Sequence, residues 1–350
     1  MSSDHPVPRD RALDAFRGLA IVTMVAANFL ADKARIPAWL KHAPDVGYTV
    51  IDLIAPLFVV AMAISWQYAA ERRETEPRGG QTPGQGGLTP AEKCLTPGRG
   101  GLTPKKGGLS PSMHGIRRGL ALIGIGAIFS AGESLALGQA GLTDWGVLQA
   151  LGIVGISLTL TGRLRPWLRL ALAFLILLLY QALMPLTKDL ILARSHGGII
   201  GAVAWTAMGL LALSSIQMVP RQRSSPVAAI ALGYVVLGLS LSRVAPVSKN
   251  RVSTSYLLIS LGLSLLLYQT MRFLYSRGKN ILSWLEPWGR QPLLLYIAHQ
   301  ILLALFVLVP WPWWHEDASL VVILAQASLL FVLLSLLARY AEKKGLAIVL

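Results

Sequence analysis

The sequence has few charged residues and a single cysteine, and both shortages limit what the protein can be. Asp, Glu, Lys and Arg make up 14% of the 350 residues, against 54% hydrophobic residues and a mean hydropathy of +0.56. A typical soluble domain is about 25% charged, so the composition excludes that class. Cys94 alone permits neither an internal disulfide nor a thiolate metal site. We therefore expect an integral membrane protein without a metal centre.

Long apolar runs, bounded by charge, Gly or Pro, recur along the chain. A helix needs roughly 20 mainly apolar residues to cross the hydrocarbon. Helices are the only open segments that satisfy their backbone hydrogen bonds in lipid, and no alternating pattern indicates a barrel. We predict an all-α, polytopic transmembrane bundle of about ten helices that forms a single domain over residues 1–350. The predicted spans are 13–31, 48–68, 119–137, 145–160, 167–184, 198–218, 226–241, 253–273, 292–308 and 320–338.

The basic residues are spread unevenly between the predicted loops. An even number of spans puts both termini on one side, and that side then holds 24 of the 32 Lys and Arg residues. Basic loops resist translocation, so both termini are predicted to be cytoplasmic. The net charge of +15 then reflects this bias and attraction to anionic lipid headgroups, with no need for a nucleic-acid partner. In a bacterium, the expected location is the cytoplasmic membrane.

One segment, 79–111, is rich in Gly, Pro and Thr and nearly free of large apolar side chains. Pro recurs in it every seven residues, within GGQTP, GGLTP, KCLTP, GGLTP and GGLSP. A heptad with Pro in each copy cannot form a coiled coil. The composition predicts a disordered cytoplasmic loop within the membrane domain, expanded in tandem at a tolerant position. A docking or phosphorylation role is the alternative.

Polar residues inside or beside the first two spans are the main functional signal, because ionisable groups in a membrane are costly. Asp14, Arg17 and Asn28 fall within about 60° of one another on the first helix. The i,i+3 spacing of Asp14 and Arg17 equally fits an ion pair that fixes helix packing. His42 follows in the next outer loop, and Asp52 lies about one turn inside the second span. An Asp near the membrane boundary needs a partner or a water-filled pocket.

These residues carry a resemblance. The run LDAFRGLAIVTMVAANF, followed by LKHAPDVGYTVIDLIAPLFVVAMAIS, resembles the opening of the heparan-α-glucosaminide N-acetyltransferase family and its bacterial relatives. That family reads L-D-x-x-R-G, then an Asn, a His in a short outer loop, and G-x-T-x-x-D-L with a Pro. The later runs IRRGLALIGIG, GVLQALGI, NRVSTSYLLISLG and WGRQPLLLYIAH follow in order at family-like positions.

The resemblance implies an enzyme that moves an acetyl group from cytoplasmic acetyl-CoA to an amine of a sugar on the far side of the membrane. It also implies that His42 is catalytic and that Asn28 assists it. Histidine can accept a proton from an amine or hydroxyl, or be acetylated itself, and both routes stay open. The amide of Asn28 can donate a hydrogen bond to the oxyanion without adding charge. Asp52 can hold the imidazole in one tautomer. The chain departs from the family near the acceptor pocket, at residues 43–45 and at Ala55, where aromatic residues are usual.

A cytoplasmic donor and an outer histidine require the pantetheine arm to thread the bundle. Arg17, Arg117 and Arg118 are candidates for the phosphates of acetyl-CoA, because guanidinium binds phosphate bidentately. Ordinary positive-inside anchoring is the competing interpretation of Arg117 and Arg118. His299, mid-span in the ninth helix, is the main rival to His42 as a functional histidine.

Three polar residues near the outer side, Glu133, Gln149 and Lys249, are candidates for the acceptor pocket, with simple interfacial groups as the alternative. The expected partners are acetyl-CoA, a sugar or glycan acceptor and the bilayer, and a homo-oligomer stays open. A small-molecule transporter would also explain ten helices with intramembrane charge, although no internal repeat or pair of broken helices is visible. A non-catalytic scaffold would leave Asn28 and His42 unexplained.

The charge distribution generates a topology prediction. Reporter fusions within the 79–111 loop should report cytoplasm, and fusions near Ala43 and near His315 should report the outside, because basic loops stay inside. Paired alkaline phosphatase and fluorescent protein fusions measure this. An external signal from the 79–111 loop would invert the topology and place His42 on the side of the CoA pool.

Overall fold

The computed structural model describes residues 9–31, 33–75, 111–136, 145–220, 225–309, 311–315 and 317–346, and the regular structure within these ranges is helical throughout. The predicted 79–111 loop therefore lies outside the described residues, apart from Pro111, which begins a helix. The helices are α1 Arg11–Leu30, α2 Ile54–Thr75, α3 Pro111–Ala136, α4 Val147–Thr161, α5 Pro166–Leu192, α6 Gly198–Gln217, α7 Ser225–Leu241, α8 Thr254–Ser276, α9 Glu286–Arg290, α10 Pro292–Val307 and α11 Leu320–Lys343.

Each predicted span overlaps one of these helices, and the all-α prediction is confirmed for the described residues. In that part of the chain, seven segments are long and apolar enough to cross a membrane, whereas Val147–Thr161, Ser225–Leu241 and Pro292–Phe306 are shorter apolar helices. The total of about ten crossings and the cytoplasmic placement of both termini stay predictions. The seven candidates are Arg11–Leu30, Val50–Arg72, Ser112–Gly132, Pro166–Leu192, Ser195–Gln217, Thr254–Ser276 and Leu320–Lys343.

One predicted boundary and one predicted placement were wrong. The fifth span was expected to end at Met184, before Pro185, but α5 continues through Pro185 to Leu192. Pro removes only one helical hydrogen bond, and Pro185 lies on the exposed face of the helix, where its ring displaces no packed neighbour. The second span was expected to begin at Tyr48, and the apolar segment does begin nearby, at Val50, but its first turn, Val50–Leu53, is a 3-10 turn that precedes α2. Asp52 therefore lies on that turn and not inside the α-helix.

Short polar side chains mark where three of the helices begin. The Asp10 carboxylate accepts the Leu13 backbone N–H at 3.0 Å at the start of α1. The Ser253 hydroxyl accepts the Tyr256 N–H at 3.3 Å at the start of α8, and Ser319 caps α11 in the same way. These caps satisfy backbone donors that have no partner within the helix, which is why the helices begin at these residues.

The two ends of the bundle differ in chemistry. At one end, which we call the Asp14 end, Arg9 Nε lies 2.6 Å from the buried Asp14 carboxylate and Tyr68 bonds Tyr268 at 2.8 Å. At the other, the His42 end, the loops between α1 and α2 and between α7 and α8 meet, and Gly47 N donates to Val247 O at 2.9 Å. Helix α1 runs from the Asp14 end to the His42 end and packs against α2, α8 and α9.

The contact between α1 and α9 depends on glycine. A Cβ added to Gly289 would lie 1.7 Å from the Asp14 carbonyl oxygen, and one added to Gly18 would lie 2.0 Å from the Leu285 carbonyl oxygen. Small residues allow helix backbones to approach this closely in membranes. The approach brings Glu286, which is 4% exposed, against the start of α1.

We predict that Gly289→Ala destabilises the protein, because its Cβ overlaps backbone atoms that cannot rotate away. Overpacking of this kind costs about 1–3 kcal/mol. Thermal unfolding in detergent should show a lower midpoint than for the wild type. The matched control is Gly233→Ala, whose added Cβ meets nothing within 4 Å and should leave the midpoint unchanged or raised. Equal midpoints for the two variants would contradict this account of the contact.

Candidate active site

His42 and Asp52 form the central pair of the His42 end. His42 Nδ1 lies 2.8 Å from Asp52 Oδ1, with the imidazole side chain 43% exposed and the carboxylate side chain fully buried. An ionised carboxylate can only accept, so Nδ1 carries the proton in this bond. The pair therefore leaves His42 Nε2 as the basic nitrogen on the open side of the ring.

The sequence around Asp52 fixes its carboxylate before any long-range contact is made. Asp52 Oδ2 accepts the Thr49 N–H at 2.9 Å, the Thr49 hydroxyl at 3.0 Å and the Ala43 N–H at 3.3 Å. The first of these bonds caps the turn that leads into α2. Tyr256 also donates to the Asp52 backbone carbonyl at 2.7 Å. A buried carboxylate is costly without such partners, and here both of its oxygens accept hydrogen bonds.

A second carboxylate clamps the loop that carries His42. Arg251 Nε donates to Asp45 Oδ1 at 2.9 Å, and the Ser248 hydroxyl donates to the same oxygen at 3.1 Å. The backbone bond from Gly47 to Val247 lies beside this ion pair. The Arg251 guanidinium lowers the pKa of Asp45 below its usual value of 3.8. The clamp is therefore stable above that pH and is lost as the pH falls through the lowered pKa.

Lys249, predicted for the acceptor pocket, comes close to the pair. It is half-buried on the loop before α8, and its ammonium interacts electrostatically with Asp52. Burial lowers the pKa of Lys249, while the nearby Asp52 opposes that shift. A partly desolvated cation near the buried Asp52 suits a ligand that carries or develops negative charge.

Asn28 is positioned with the rival histidine. Its amide nitrogen donates to His299 Nε2 at 3.1 Å, and no hydrogen bond among the described residues joins it to His42. His299 is fully buried, whereas Asn28 is exposed, so the amide lies where α10 meets an open face of α1. From the sequence, Asn28 and His299 were separate candidates. In the structure a hydrogen bond joins their side chains.

The predicted phosphate ligands lie at the Asp14 end. Arg17 Nη1 lies 3.3 Å from Asp14 Oδ1 and Nη2 donates to Ser65 at 2.5 Å, so the i,i+3 ion pair expected from the sequence is present. Arg117 and Arg118 are exposed on α3. Arg118 lies within electrostatic reach of Arg17, which places all three cations in one region.

Gln149 and Glu133, the other two residues predicted for the acceptor pocket, say less about where an acceptor would bind. Gln149 is 3% exposed, and its amide accepts the Gly146 N–H at 3.0 Å and donates to the Ser130 hydroxyl at 3.3 Å. These bonds cap α4, and an acceptor role for Gln149 stays a prediction. Glu133 lies in α3, but its side chain is outside the described residues. In the described ranges, no group of three or more His, Cys, Asp or Glu side chains could hold a metal ion.

One histidine at this end was not singled out by the sequence analysis. His196 lies between α5 and α6, and its backbone carbonyl accepts the Trp205 indole N–H at 3.2 Å. His42 and Lys249 both lie within electrostatic reach of its ring. The signal in the sequence is the run Ser195-His196-Gly197-Gly198 at the junction of two apolar spans. A histidine followed by two glycines suggests a turn with a side chain held at the membrane boundary.

The family model for heparan-alpha-glucosaminide N-acetyltransferase, catalytic, matches residues 9–200, which is more than half of the chain. The chain belongs to this family. The match includes Asn28, His42, Asp52 and His196, whereas Lys249 lies beyond it.

The chain is also similar in sequence to a human protein over a shorter stretch. Heparan-alpha-glucosaminide N-acetyltransferase of Homo sapiens is 43% identical over 58 residues. That stretch is 17% of this chain and 8% of the human protein. Membership of the family supports a membrane transferase, but so short an overlap carries neither the substrates nor the partners of the human protein to this chain.

The Asp45 clamp generates a prediction for Arg251→Met, which keeps the length of the side chain and removes its charge. A half-exposed ion pair of this kind contributes up to about 1 kcal/mol, so amide exchange of Gly47 should accelerate by up to about fivefold. Hydrogen exchange with mass spectrometry measures this.

Arg243→Met is the matched control, since Arg243 is an exposed arginine in the same loop. Unchanged exchange at Gly47 in Arg251→Met would show that the clamp does not order the His42 loop.

Proposed function

We propose that this protein is a membrane acyltransferase that moves an acetyl group from cytoplasmic acetyl-CoA to an amine, or a hydroxyl, of a sugar or glycan on the outer side. The observation that carries the proposal is the His42–Asp52 pair, in which a buried carboxylate orients a half-exposed imidazole at 2.8 Å. The pair lies within the residues that match the family. A carboxylate that holds Nδ1–H leaves the opposite nitrogen to act as a base or nucleophile.

Two chemical routes fit this pair. In the direct route, His42 Nε2 takes the proton of the attacking amine as it adds to the thioester carbonyl. In the covalent route, His42 Nε2 attacks the thioester, CoA leaves as the thiolate, and the acceptor then removes the acetyl group from the ring. Either route builds negative charge on the carbonyl oxygen. Lys249 and the second N–H of Asn28 are the candidate groups to stabilise it.

The donor would enter from the Asp14 end. Arg117 and Arg118 are exposed there and fit the phosphates of CoA, while Arg17 already bonds Asp14 and Ser65. We therefore assign phosphate binding mainly to Arg117 and Arg118, with Arg17 adding charge from a fixed position. Arg118 lies within electrostatic reach of Arg17, so an anion bound at Arg118 would also be attracted by Arg17.

We predict that His42→Ala abolishes acetyl transfer while purified protein still binds acetyl-CoA. Loss of an acid–base group removes roughly 10² to 10⁴-fold in rate, and loss of a nucleophile can remove more. The measurement is acceptor-dependent CoA release from protein in nanodiscs, with binding of acetyl-CoA followed by calorimetry. Arg117→Ala combined with Arg118→Ala should instead weaken binding and leave the bound complex competent.

The outcomes separate the competing assignments. Normal turnover in His42→Ala together with lost turnover in His299→Ala would move the reacting site to the Asn28–His299 pair. Absence of acetyl-CoA binding in the wild type, with uptake of a small solute into vesicles, would favour the transporter alternative.

A further inference from the structure

A partly enclosed cavity of about 230 Å³ lies at the Asp14 end, between α2, α6, α7 and α8. Tyr68 and Tyr268, whose hydroxyls bond each other at 2.8 Å, are part of its lining. A cavity of about 150 Å³ can hold benzene, so this one has room for a two-ring base. The other polar groups of the lining are three carboxamides, one carboxylate and one guanidinium, on Gln67, Gln217, Gln269, Glu71 and Arg272. The cavity therefore suits a planar ligand with polar edges.

A series of hydrogen bonds fixes the amides on the α2 and α6 side of the cavity. Arg169 Nη1 donates to Gln217 Oε1 at 2.6 Å, and Gln217 Nε2 donates to Gln67 Oε1 at 2.5 Å. Gln67 Nε2 then donates to Glu71 Oε1 at 2.7 Å. Arg169 is fully buried and can only donate, so it sets the direction of the whole series. The series ends on Glu71, a carboxylate that can only accept.

The α8 side of the cavity offers a second acceptor. Gln269 is 7% exposed, and its Oε1 has no hydrogen-bond partner among the described residues. Most buried polar atoms are paired, so such an oxygen in the lining of a cavity points to a ligand that donates. The terminal amide torsion of Gln is broad, so a ligand in the cavity can meet this oxygen without a change in the backbone. One turn away, the Arg272 guanidinium lies over the Tyr268 ring at 5.9 Å.

Helix α8 connects this cavity with the catalytic pair. Tyr268 lies 12 residues after Tyr256 on α8, and the Tyr256 hydroxyl donates to the Asp52 carbonyl at 2.7 Å. At a rise of 1.5 Å per residue, the two tyrosines are about 18 Å apart along the helix. The extended phosphopantetheine arm of CoA covers a distance of this order. A donor whose base lies in the cavity can therefore present its thioester to His42.

We propose that this cavity binds the adenine base of the acetyl donor. This inference rests on the proposed acetyl transfer and names the part of the donor that the Asp14 end recognises. The exocyclic amine of adenine carries two N–H donors, which match the acceptors on Gln269 and Glu71. Arg272 is placed to bind a phosphate of the same nucleotide. Arg17 bonds Ser65, three residues before Tyr68 on α2, so the cations assigned to the phosphates begin about one helical turn from the cavity.

The test compares the binding of acetyl-CoA with that of S-acetyl-4′-phosphopantetheine, which lacks the adenosine. Gln269→Leu removes the acceptor and keeps a side chain of similar bulk. It should weaken acetyl-CoA binding by roughly 5- to 100-fold, because the bound amine is left without a partner. The affinity for S-acetyl-4′-phosphopantetheine should stay unchanged. Calorimetry on protein in nanodiscs measures both affinities.

Gln326→Leu is the matched control. Gln326, on α11, is 3% exposed, and its Oε1 also has no hydrogen-bond partner among the described residues. It is not part of the cavity lining, so the variant should bind both donors as the wild type does. If Gln269→Leu does not fold, Val219→Trp replaces it. Val219 lines the cavity from the loop after α6, and an indole there should occupy the space and weaken acetyl-CoA binding alone.

The outcomes separate this inference from the proposed function. Wild-type acetyl-CoA affinity in Gln269→Leu would overturn the inference, and so would an equal loss of affinity for both donors, which would leave Gln269 a structural residue. A wild-type protein that binds the two donors equally well would also overturn it, because the adenosine would then make no contact. Acceptor-dependent CoA release by the wild type keeps the proposed function in these three cases. A wild type that neither binds acetyl-CoA nor transfers acetyl would overturn the proposed function and this inference with it.

Discussion

The burial of the Asp52 carboxylate is the constraint on which the His42 end depends. A charge in an apolar bundle must be satisfied by donors, and here the donors are the His42 imidazole, two backbone N–H groups and the Thr49 hydroxyl. Meeting that need caps the turn before α2, bends the 41–49 loop over the carboxylate and selects one tautomer of His42. The local order of the site and its chemistry therefore have the same cause.

At the Asp14 end, buried carboxylates are also satisfied, but their partners are arginines. Asp14 and Glu286, both nearly fully buried, are paired with Arg9, Arg11, Arg17 and Arg290. These pairs join α1 to α9, where glycine permits close backbone approach. Removing one partner from such a network leaves an uncompensated charge, so the network constrains how the helices pack. Arg117 and Arg118 stand outside it on α3, which leaves them available for an anionic ligand.

The two ends are connected by α1, whose Asn28 bonds His299 on α10 near the His42 end. Asn28 is thus held by the bundle and not by the loop that carries His42. In the proposed mechanism Asn28 is an oxyanion donor, and a donor held by a helix keeps its direction when a loop adjusts to an acceptor. His42, by contrast, lies on a loop, and its side chain is 43% exposed.

The sequence by itself determined the membrane class and most of the helical segments, because hydropathy is a local property, and it offered Asp52, ten positions from His42, as a group suited to fixing the imidazole tautomer. It could not show that α5 passes Pro185, since that depends on what surrounds the helix. It also left the partners of Asn28 and Asp45 open, which lie 271 and 206 residues away. The positive φ of His196 could not be found from the sequence either, because it occurs where the neighbouring Gly197 packs against Val252, on a distant loop. Periodicity reports which face of a helix is buried, whereas only the packed bundle decides which distant residues meet.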